Sequence, residues 1–173
     1  MNKRQLWFDH KFNLGIDIGW TDNVMSRIQD CAIRLEHYTK DKTDDILSKK
    51  NADNWSIKEH IGHLIDLEDL WINRFLQFEL FVPDLVHADM TNLKTELANH
   101  NTMSIQNLLS EFKSERKRLI NTFDSLSAKA LIHDAFHPRL KVIMKPVDLL
   151  FFVAEHDNHH ITSIKRMLGK KTK

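Results

Sequence analysis

The sequence predicts an all-α protein: a single four-helix bundle whose long helices are joined by long crossover connections. Three observations support this prediction. The 173 residues include only 4 glycines and 3 prolines, so long helices meet few interruptions. Apolar residues recur every three to four positions in four separate segments, which is the pattern of a helix with one buried face. Runs of β-branched residues and tight hairpin signals are scarce.

The composition is that of a globular protein with one ordinary core. Hydrophobic residues make up 42% of the chain, and 25 basic residues nearly balance 24 acidic ones, so no global field attracts nucleic acid. No apolar run is long enough for a membrane span or a signal peptide. The single cysteine, Cys31, excludes an intrachain disulfide and is expected in the core. We therefore expect a cytoplasmic protein whose partner is a small molecule, not nucleic acid or a membrane.

The helical pattern divides the chain into an arm and a bundle. Residues 1–20 lack helical periodicity and are expected to form an N-terminal arm, and residues 21–173 form the four-helix domain. The clearest start signal is a capping box, in which Ser56 is followed three residues later by Glu59. The predicted helices cover about 21–39, 56–80, 104–126 and 146–169.

The last of these segments places two histidines in the middle of an apolar face. Pro146 suits the first turn of a helix, and Gly169 suits the position just past its end. At about 100° per residue, His156 and His160 fall on the same stripe as the apolar residues. The members of this stripe are Leu149, Val153, His156, His160, Ile164 and Met167.

Two interpretations of this pair stay open at this point. A buried neutral histidine must find partners for both ring nitrogens, so both residues can be core histidines that are hydrogen-bonded to neighbours. Because they are four residues apart, they also project side by side, at a separation that lets both bind one metal ion.

The second predicted helix also carries polar groups near its apolar stripe. His60 and His63 flank the stripe on one side, and Glu68 sits on the stripe itself. Glu68 either pairs with a cation or turns toward the same interior as the histidines. Arg116, on the third helix, falls near the apolar side and is a candidate partner for a carboxylate. Three imidazoles that leave positions open for water are the ligand set of a catalytic metal site, but ligand type alone does not choose the metal.

The remaining histidines are weaker candidates. His133 and His137 lie in the connection before the last helix, where histidines usually face solvent or cap a turn. His159 lies about 80° off the stripe of the last helix and is expected at its rim.

Two segments resemble the DinB-like superfamily. The sequence WSIKEHIGHLIDLE at 55–68 is similar to the family's Trp-Ser…His-Leu…Asp-x-Glu signature. The sequence HPRLKVIMKPVDLLFFVAEHDNHHITSIKRML at 137–168 is similar to its closing segment, where a His-Pro turn leads into the last helix and its His-x-x-x-His pair. The similarity covers most of the chain beyond residues 1–20. One departure lies in the turn at 138–141, which reads Pro-Arg-Leu-Lys where the family often carries a glycine.

The resemblance implies a bundle of down-up-up-down-type connectivity, often dimeric, with a divalent metal on three histidines. Transferred onto this sequence, the ligands are His63, His156 and His160. Periodicity alone ranks His60 slightly above His63, so the choice of His63 depends on the resemblance. Family members of known activity imply a thiol-dependent transferase or isomerase, in which a metal such as zinc or nickel activates a low-molecular-weight thiol as co-substrate.

Two other functions remain alternatives. The stretch His156-Asp157-x-x-His160 is similar to the His-Glu-x-x-His motif of zinc hydrolases, so a hydrolase would use Asp157 as a base on a metal-bound water. Asp157 and Glu68 are therefore the candidate catalytic carboxylates. The other alternative is a non-enzymatic bundle that binds a metal, a small molecule or a partner protein.

Overall fold

The computed structural model describes residues 5–50 and 55–169; the arm's residues 1–4, the connection's residues 51–54 and the residues after Gly169 lie outside that description. It confirms the all-α bundle. The four long helices are α1 (Thr21–Thr39), α3 (Ile57–Glu79), α5 (Ile105–Asp124) and α7 (Pro146–Gly169). Short helices lie in the connections: α2 (Asp44–Ser48), α4 (Leu93–Leu97) and α6 (Ala128–Leu131). Single 3₁₀ turns occur at Trp7–Asp9, Ile18–Trp20 and His100–Thr102.

The four long helices do not pack in chain order. Helix α1 packs mainly on α7, and α3 packs mainly on α5. Smaller contacts between α1 and α5 and between α3 and α7 make a square arrangement of the four helices. Helices α1 and α3, which follow each other in the sequence, therefore occupy opposite corners, as do α5 and α7. The connections from α1 to α3 and from α5 to α7 must therefore cross the bundle to a diagonal position, whereas the connection from α3 to α5 joins neighbouring helices.

Local sequence signals start the two helices that carry the histidines. The Ser56 hydroxyl accepts from the Glu59 backbone N–H at 3.1 Å, and the Ser56 N–H donates to Glu59 Oε2 at 2.8 Å, so the predicted capping box is formed. In the first turn of α7, Asp148 accepts from Lys145 N at 3.0 Å. Asp148 also accepts from the backbone N–H groups of Gly15 and Ile16 at 2.8 and 2.9 Å, which fastens the arm to the start of α7.

The connection before α7 contains a small β-hairpin that the sequence analysis did not predict. Strand β1 (Ala135–His137) pairs antiparallel with β2 (Val142–Met144), and His137 lies opposite Val142. The turn places Lys141 at a φ of 56°, a left-handed conformation that non-glycine residues seldom adopt. Hairpins of three residues per strand leave little periodicity to detect, which is why the sequence pattern missed it.

The core has two apolar clusters with a polar layer between them. One cluster lies around Ile28, Phe75 and Val153, and the other lies around Leu35, Phe112 and Ile161. Cys31 is fully buried in the second cluster, as expected. Among the described residues, no helix is both long and apolar enough to cross a membrane.

Candidate metal centre

Three buried histidines converge between α3 and α7. Each of His63, His156 and His160 offers one ring nitrogen, and these nitrogens lie within 4.8 Å of one another. The three side chains belong to residues that are 4–6% exposed. The structure therefore brings together the three histidines that the family resemblance indicated.

The two histidines of α7 have the spacing of two ligands on one ion. Nε2 of His160 lies 3.2 Å from Nε2 of His156. Two nitrogens bound to one tetrahedral zinc at about 2.0–2.1 Å would lie about 3.3 Å apart. This separation follows from the helix, since residues four apart project side by side.

His63 is held from behind by a chain of hydrogen bonds that ends on a carboxylate. The Thr95 hydroxyl donates to Asp66 Oδ2 at 2.8 Å, because a carboxylate can only accept. The Thr95 oxygen therefore accepts from Nδ1 of His63, 3.1 Å away. With its proton on Nδ1, His63 keeps a lone pair on Nε2 for a metal. Such partners commonly orient metal-binding histidines.

A fourth histidine completes this support. His100 Nε2 donates to Asp66 Oδ2 at 2.9 Å. The His100 ring packs directly on Gly62, where an added Cβ would come within 2.2 Å of the ring, so this close approach requires glycine. Burial raises the pKa of Asp66, but hydrogen bonds from His100 and Thr95 outweigh that effect, so its pKa lies below the usual value.

His60 lies outside the cluster but contacts it. Its Nδ1 is 2.9 Å from Nδ1 of His160, so one of these rings donates to the other. This contact is compatible with a proton on His160 Nδ1 and a lone pair on its Nε2. The position that periodicity ranked first on α3 thus supports a cluster histidine.

The three cluster histidines are neutral at neutral pH. Burial and the nearby histidines together lower the pKa of His63 to about 4, although the Asp66 carboxylate opposes this shift. Burial also lowers the pKa values of His156 and His160 well below the usual value. Nδ1 of His156 is buried and has no hydrogen-bond partner among the described residues. Neutral imidazoles with available lone pairs are the form that binds a divalent metal, so the donor set fits such an ion.

The cluster opens into a cavity of about 200 Å³. Aromatic rings form its walls: the Trp55 ring lies 4.5 Å from the His63 ring, and the Trp7 ring lies 5.3 Å from the His156 ring. Trp55 is held in place because its Nε1 donates to Glu96 Oε1 at 2.7 Å. His159 lines the cavity and is partly buried, in agreement with the position at the rim that was predicted.

The two candidate catalytic carboxylates lie in the bundle interior, bound to one arginine. Arg116 donates to Glu68 Oε1 from Nε at 2.9 Å, and to Asp157 Oδ2 from Nη1 at 2.5 Å. Neither carboxylate lines the cavity. For Glu68 this agrees with the alternative in which it pairs with a cation, whereas Asp157 does not face the cavity as a base on a metal-bound water would. The reason is the rotation of about 100° per residue on a helix, which directs Asp157 away from His156.

The charge of Arg116 is balanced by the two carboxylates in contact with it, Glu68 and Asp157. Burial lowers the pKa of Arg116, but Asp157 and Glu68 outweigh that effect and raise it. Burial raises the pKa of Glu68 to about 7, although Arg116 opposes the shift. Arg116 is thus the carboxylate partner that its position on α5 indicated.

Several residues of the cavity were missed by the sequence analysis. Trp7 comes from the arm, and Arg139 comes from the hairpin turn. Arg74 lies on α3 beyond the predicted signature. His137, expected to face solvent or cap a turn, is 1% exposed, and its Nδ1 lies 3.2 Å from Leu140 N. A charged residue in a predicted turn was the only sequence signal for Arg139. The direction of its side chain depends on the hairpin, which the sequence did not predict.

Several solved structures share this fold. One is YfiT from Bacillus subtilis, described as a probable metal-dependent hydrolase with an unusual four-helix bundle topology; its TM-score is 0.73 at 20% identity over 91% of each chain. Another is the mycothiol-dependent maleylpyruvate isomerase, with a TM-score of 0.67 at 10% identity. That match covers 83% of this chain and 60% of the isomerase. At such identities the likeness shows the fold alone.

Sequence comparison supplies the family. None of the curated proteins is detectably similar to the chain. The model of the DinB superfamily, however, matches residues 27–164, which include all four long helices apart from their outer ends. The chain therefore belongs to the DinB superfamily.

Proposed function

We propose that this protein is a metal-dependent enzyme that activates a low-molecular-weight thiol for transfer to a small electrophile. Its zinc or nickel ion would bind His63, His156 and His160. The observation that carries the proposal is the convergence of these three buried, neutral imidazoles at one end of a cavity. The mycothiol-dependent isomerase among the fold neighbours supports a thiol as co-substrate.

The chemistry assigned to the ion is the activation of sulfur: a coordinated thiol loses its proton and becomes a nucleophile at neutral pH. In such a transfer the thiol would lose its proton to solvent and its sulfur would bond to the electrophilic carbon, while the leaving group would depart with its bonding electron pair. The chain's own part is to hold three lone pairs in place. Asp66 and Thr95 orient His63, and the rings of Trp7 and Trp55 pack beside the histidines.

We assign Asp157 and Glu68 a positioning role in place of direct catalysis. Both are bound to Arg116 and lie outside the cavity lining. Because Asp157 follows His156 in α7, its anchorage to Arg116 fixes the rotation of that helix about its axis. The rotation in turn directs His156 into the cavity.

Hydrolysis through a metal-bound water is the second candidate. It is favoured by the description of YfiT as a probable metal-dependent hydrolase and by the coverage of 91% between the two chains. In this structure Asp157 could act as the base only after leaving Arg116. A non-enzymatic metal-binding bundle is the remaining alternative.

The first experiment measures the metal content of the purified protein by elemental analysis after dialysis. We expect about one equivalent of a transition metal in the wild type and little in His156→Ala or His63→Ala. The control is His37→Ala, because His37 is an exposed histidine of α1. A wild type that binds no metal, even after addition of zinc or nickel, would contradict the proposal.

The second experiment separates the candidate reactions in the metal-loaded protein. Metal-dependent consumption of a thiol together with a haloaromatic electrophile supports thiol transfer. Cleavage of an ester or amide without thiol supports hydrolysis instead, and absence of both supports the binding bundle. A homodimer and a cytoplasmic location stay predictions, and sedimentation of the purified protein tests the first.

A further inference from the structure

The cavity has a second polar end, away from the three histidines. Arg74, Arg139 and His137 line it, and Trp71 lies between the two ends. The Trp71 ring is 5.8 Å from the His156 ring on one side and 5.3 Å from Arg74 Cζ on the other. A molecule that reaches from the histidines to the arginines therefore has to pass one aromatic ring.

Neither arginine has a carboxylate partner. Among residues 5–50 and 55–169, no ion pair involves Arg74 or Arg139. Arg74 is 1% exposed, and its Nε and Nη2 donate to the carbonyl of Val86 at 3.1 and 2.8 Å. Nη2 of Arg139 is buried without a hydrogen-bond partner in the described part of the chain. Arg74 is buried and Arg139 is partly buried, and removing guanidinium charge from water without a carboxylate is costly, so the two arginines together indicate an anionic ligand.

The His137 ring faces more hydrogen-bond donors than it can accept from. Leu140 N lies 3.2 Å from its Nδ1, and Arg74 Nη1 lies 3.1 Å from its Nε2. A neutral imidazole has one lone pair and one N–H, so the ring can accept from only one of these two donors. In either tautomer one N–H group faces a second donor, and an oxygen anion would relieve this arrangement.

The electrostatics agree with this geometry. Burial, together with the charge of Arg139, lowers the pKa of Arg74 to about 10. Burial and the same two arginines lower the pKa of His137 to about 3, so the imidazole is neutral. The acidic residue in the lining, Asp89, is exposed and accepts from Thr91 N and Leu93 N in its own loop.

Aromatic rings hold the Arg139 guanidinium beside the cavity. Its Cζ lies 5.3 Å from the centre of the Phe152 ring and 5.9 Å from that of Trp7. These contacts use the faces of aromatic rings and leave the N–H groups at the edge of the guanidinium for an acceptor.

We propose that Arg74 and Arg139 form an anion-binding site, which takes a carboxylate or phosphate group of the molecule whose other end reacts at the histidines. The inference rests on the proposed function for the reaction at the histidine end, but the anion site itself does not require the metal. The substrate class is thus a thiol or electrophile that carries an acidic group. The acidic group and the reacting atom are separated by about the length of the Trp71 ring that lies between the two ends of the cavity.

The test on metal-free protein uses hexanoate and its neutral analogue hexanamide, with tryptophan fluorescence as the readout because Trp7, Trp55 and Trp71 line the cavity. We expect the wild type to bind hexanoate about ten- to a hundredfold more tightly than hexanamide, since hydrogen bonds to charged groups are the strong ones. In Arg139→Gln the two affinities should become nearly equal, with unchanged circular dichroism.

A matched control is Arg27→Gln, since Arg27 also lies over a phenylalanine ring (Phe151, 5.5 Å) but is paired with Glu155. This variant should keep the preference for hexanoate. Competition by acetate or by inorganic phosphate supports the site, and the stronger competitor identifies the group. The zinc-loaded protein should likewise prefer 6-mercaptohexanoate to 6-mercaptohexanamide.

The inference is overturned if the wild type binds hexanoate no better than hexanamide, if Arg139→Gln keeps the preference, or if neither acetate nor phosphate competes. These outcomes are independent of metal content. A protein that prefers hexanoate but binds no metal would defeat only the proposed function, and one that binds metal without this preference would defeat only the anion site.

Discussion

The cavity wall and the bundle interior both bury polar side chains on α3 and α7, but they differ in how charge is compensated. In the interior, Arg116 is matched by Glu68 and Asp157 at hydrogen-bond distance. At the cavity, three neutral histidines meet, and Arg74 and Arg139 have no carboxylate partner within the described residues. His156 and Asp157 are adjacent in sequence yet belong to different regions.

The difference separates a structural layer from a binding site. A buried ion network whose arginine is paired with two carboxylates contributes to a defined packing of the helices, although Glu68 Oε2 has no hydrogen-bond partner among the described residues. Polar groups that stay unmatched around a cavity reduce stability unless a ligand completes them. Removal of a group should therefore weaken folding in the interior, whereas at the cavity it should weaken binding.

The largest effect is expected from Arg116→Met, because this variant leaves two buried carboxylates without a cation. The free energy of unfolding should fall by about 3–5 kcal/mol, as measured by urea unfolding. Arg118→Met, on the exposed face of the same helix, should change it by less than about 0.5 kcal/mol. A loss below about 1 kcal/mol for Arg116→Met would show that the layer does not stabilise the bundle.

Metal binding should give the next largest effect, and with the opposite sign. At a free zinc concentration about one hundred times the dissociation constant, the free energy of unfolding should rise by about 2.7 kcal/mol. Thermal unfolding with and without zinc measures this gain. His160→Ala should abolish it and His37→Ala should retain it; an equal gain in both variants would place the bound zinc elsewhere.

Acidification should destabilise the cavity wall through His137. An unfolded histidine binds its proton near pH 6.5, whereas burial and Arg74 hold the pKa of His137 at about 3. Between these values the unfolded state binds more protons, so stability falls as the pH is lowered. The loss from pH 7.5 to pH 5 should be about 2 kcal/mol for this residue. Urea unfolding of metal-free His137→Gln should show a correspondingly weaker pH dependence; an unchanged one would contradict this assignment.

The smallest effect is expected from Thr95→Val, which keeps the side-chain shape but removes the hydroxyl between His63 and Asp66. Zinc affinity, measured by competition with a chelator, should fall by about tenfold, because His63 loses the partner that fixes its tautomer. Thr122→Val on α5 is the matched control and should leave the affinity unchanged. Wild-type affinity in Thr95→Val would mean that packing alone orients His63.

Most of the fold could be predicted from the sequence because helical periodicity and capping are local. The ranges of α1 and α7 were predicted to within about one residue, and the capping box at Ser56 was correct. The short hairpin was missed, because three residues per strand form no recognisable pattern and the pairing depends on the turn at Lys141.

The candidate site was only partly accessible to sequence reasoning. Spacing alone places His156 and His160 side by side, since residues four apart share a helical face. The preference for His63 over His60 came from the family resemblance, because the two lie at similar angles from the stripe. Thr95 and His100, which hold Asp66 behind His63, come from a connection without periodic pattern.

The sequence by itself determined four amphipathic helices, their start signals and a pair of histidines on one face, since each depends on residues within a few positions of each other. Only the tertiary structure decided that Asp157 and Glu68 bind Arg116, and that Trp7 and Arg139 close the cavity. These contacts join segments far apart in the chain, and their directions depend on how α7 is rotated against α3 and α5, which side-chain packing sets.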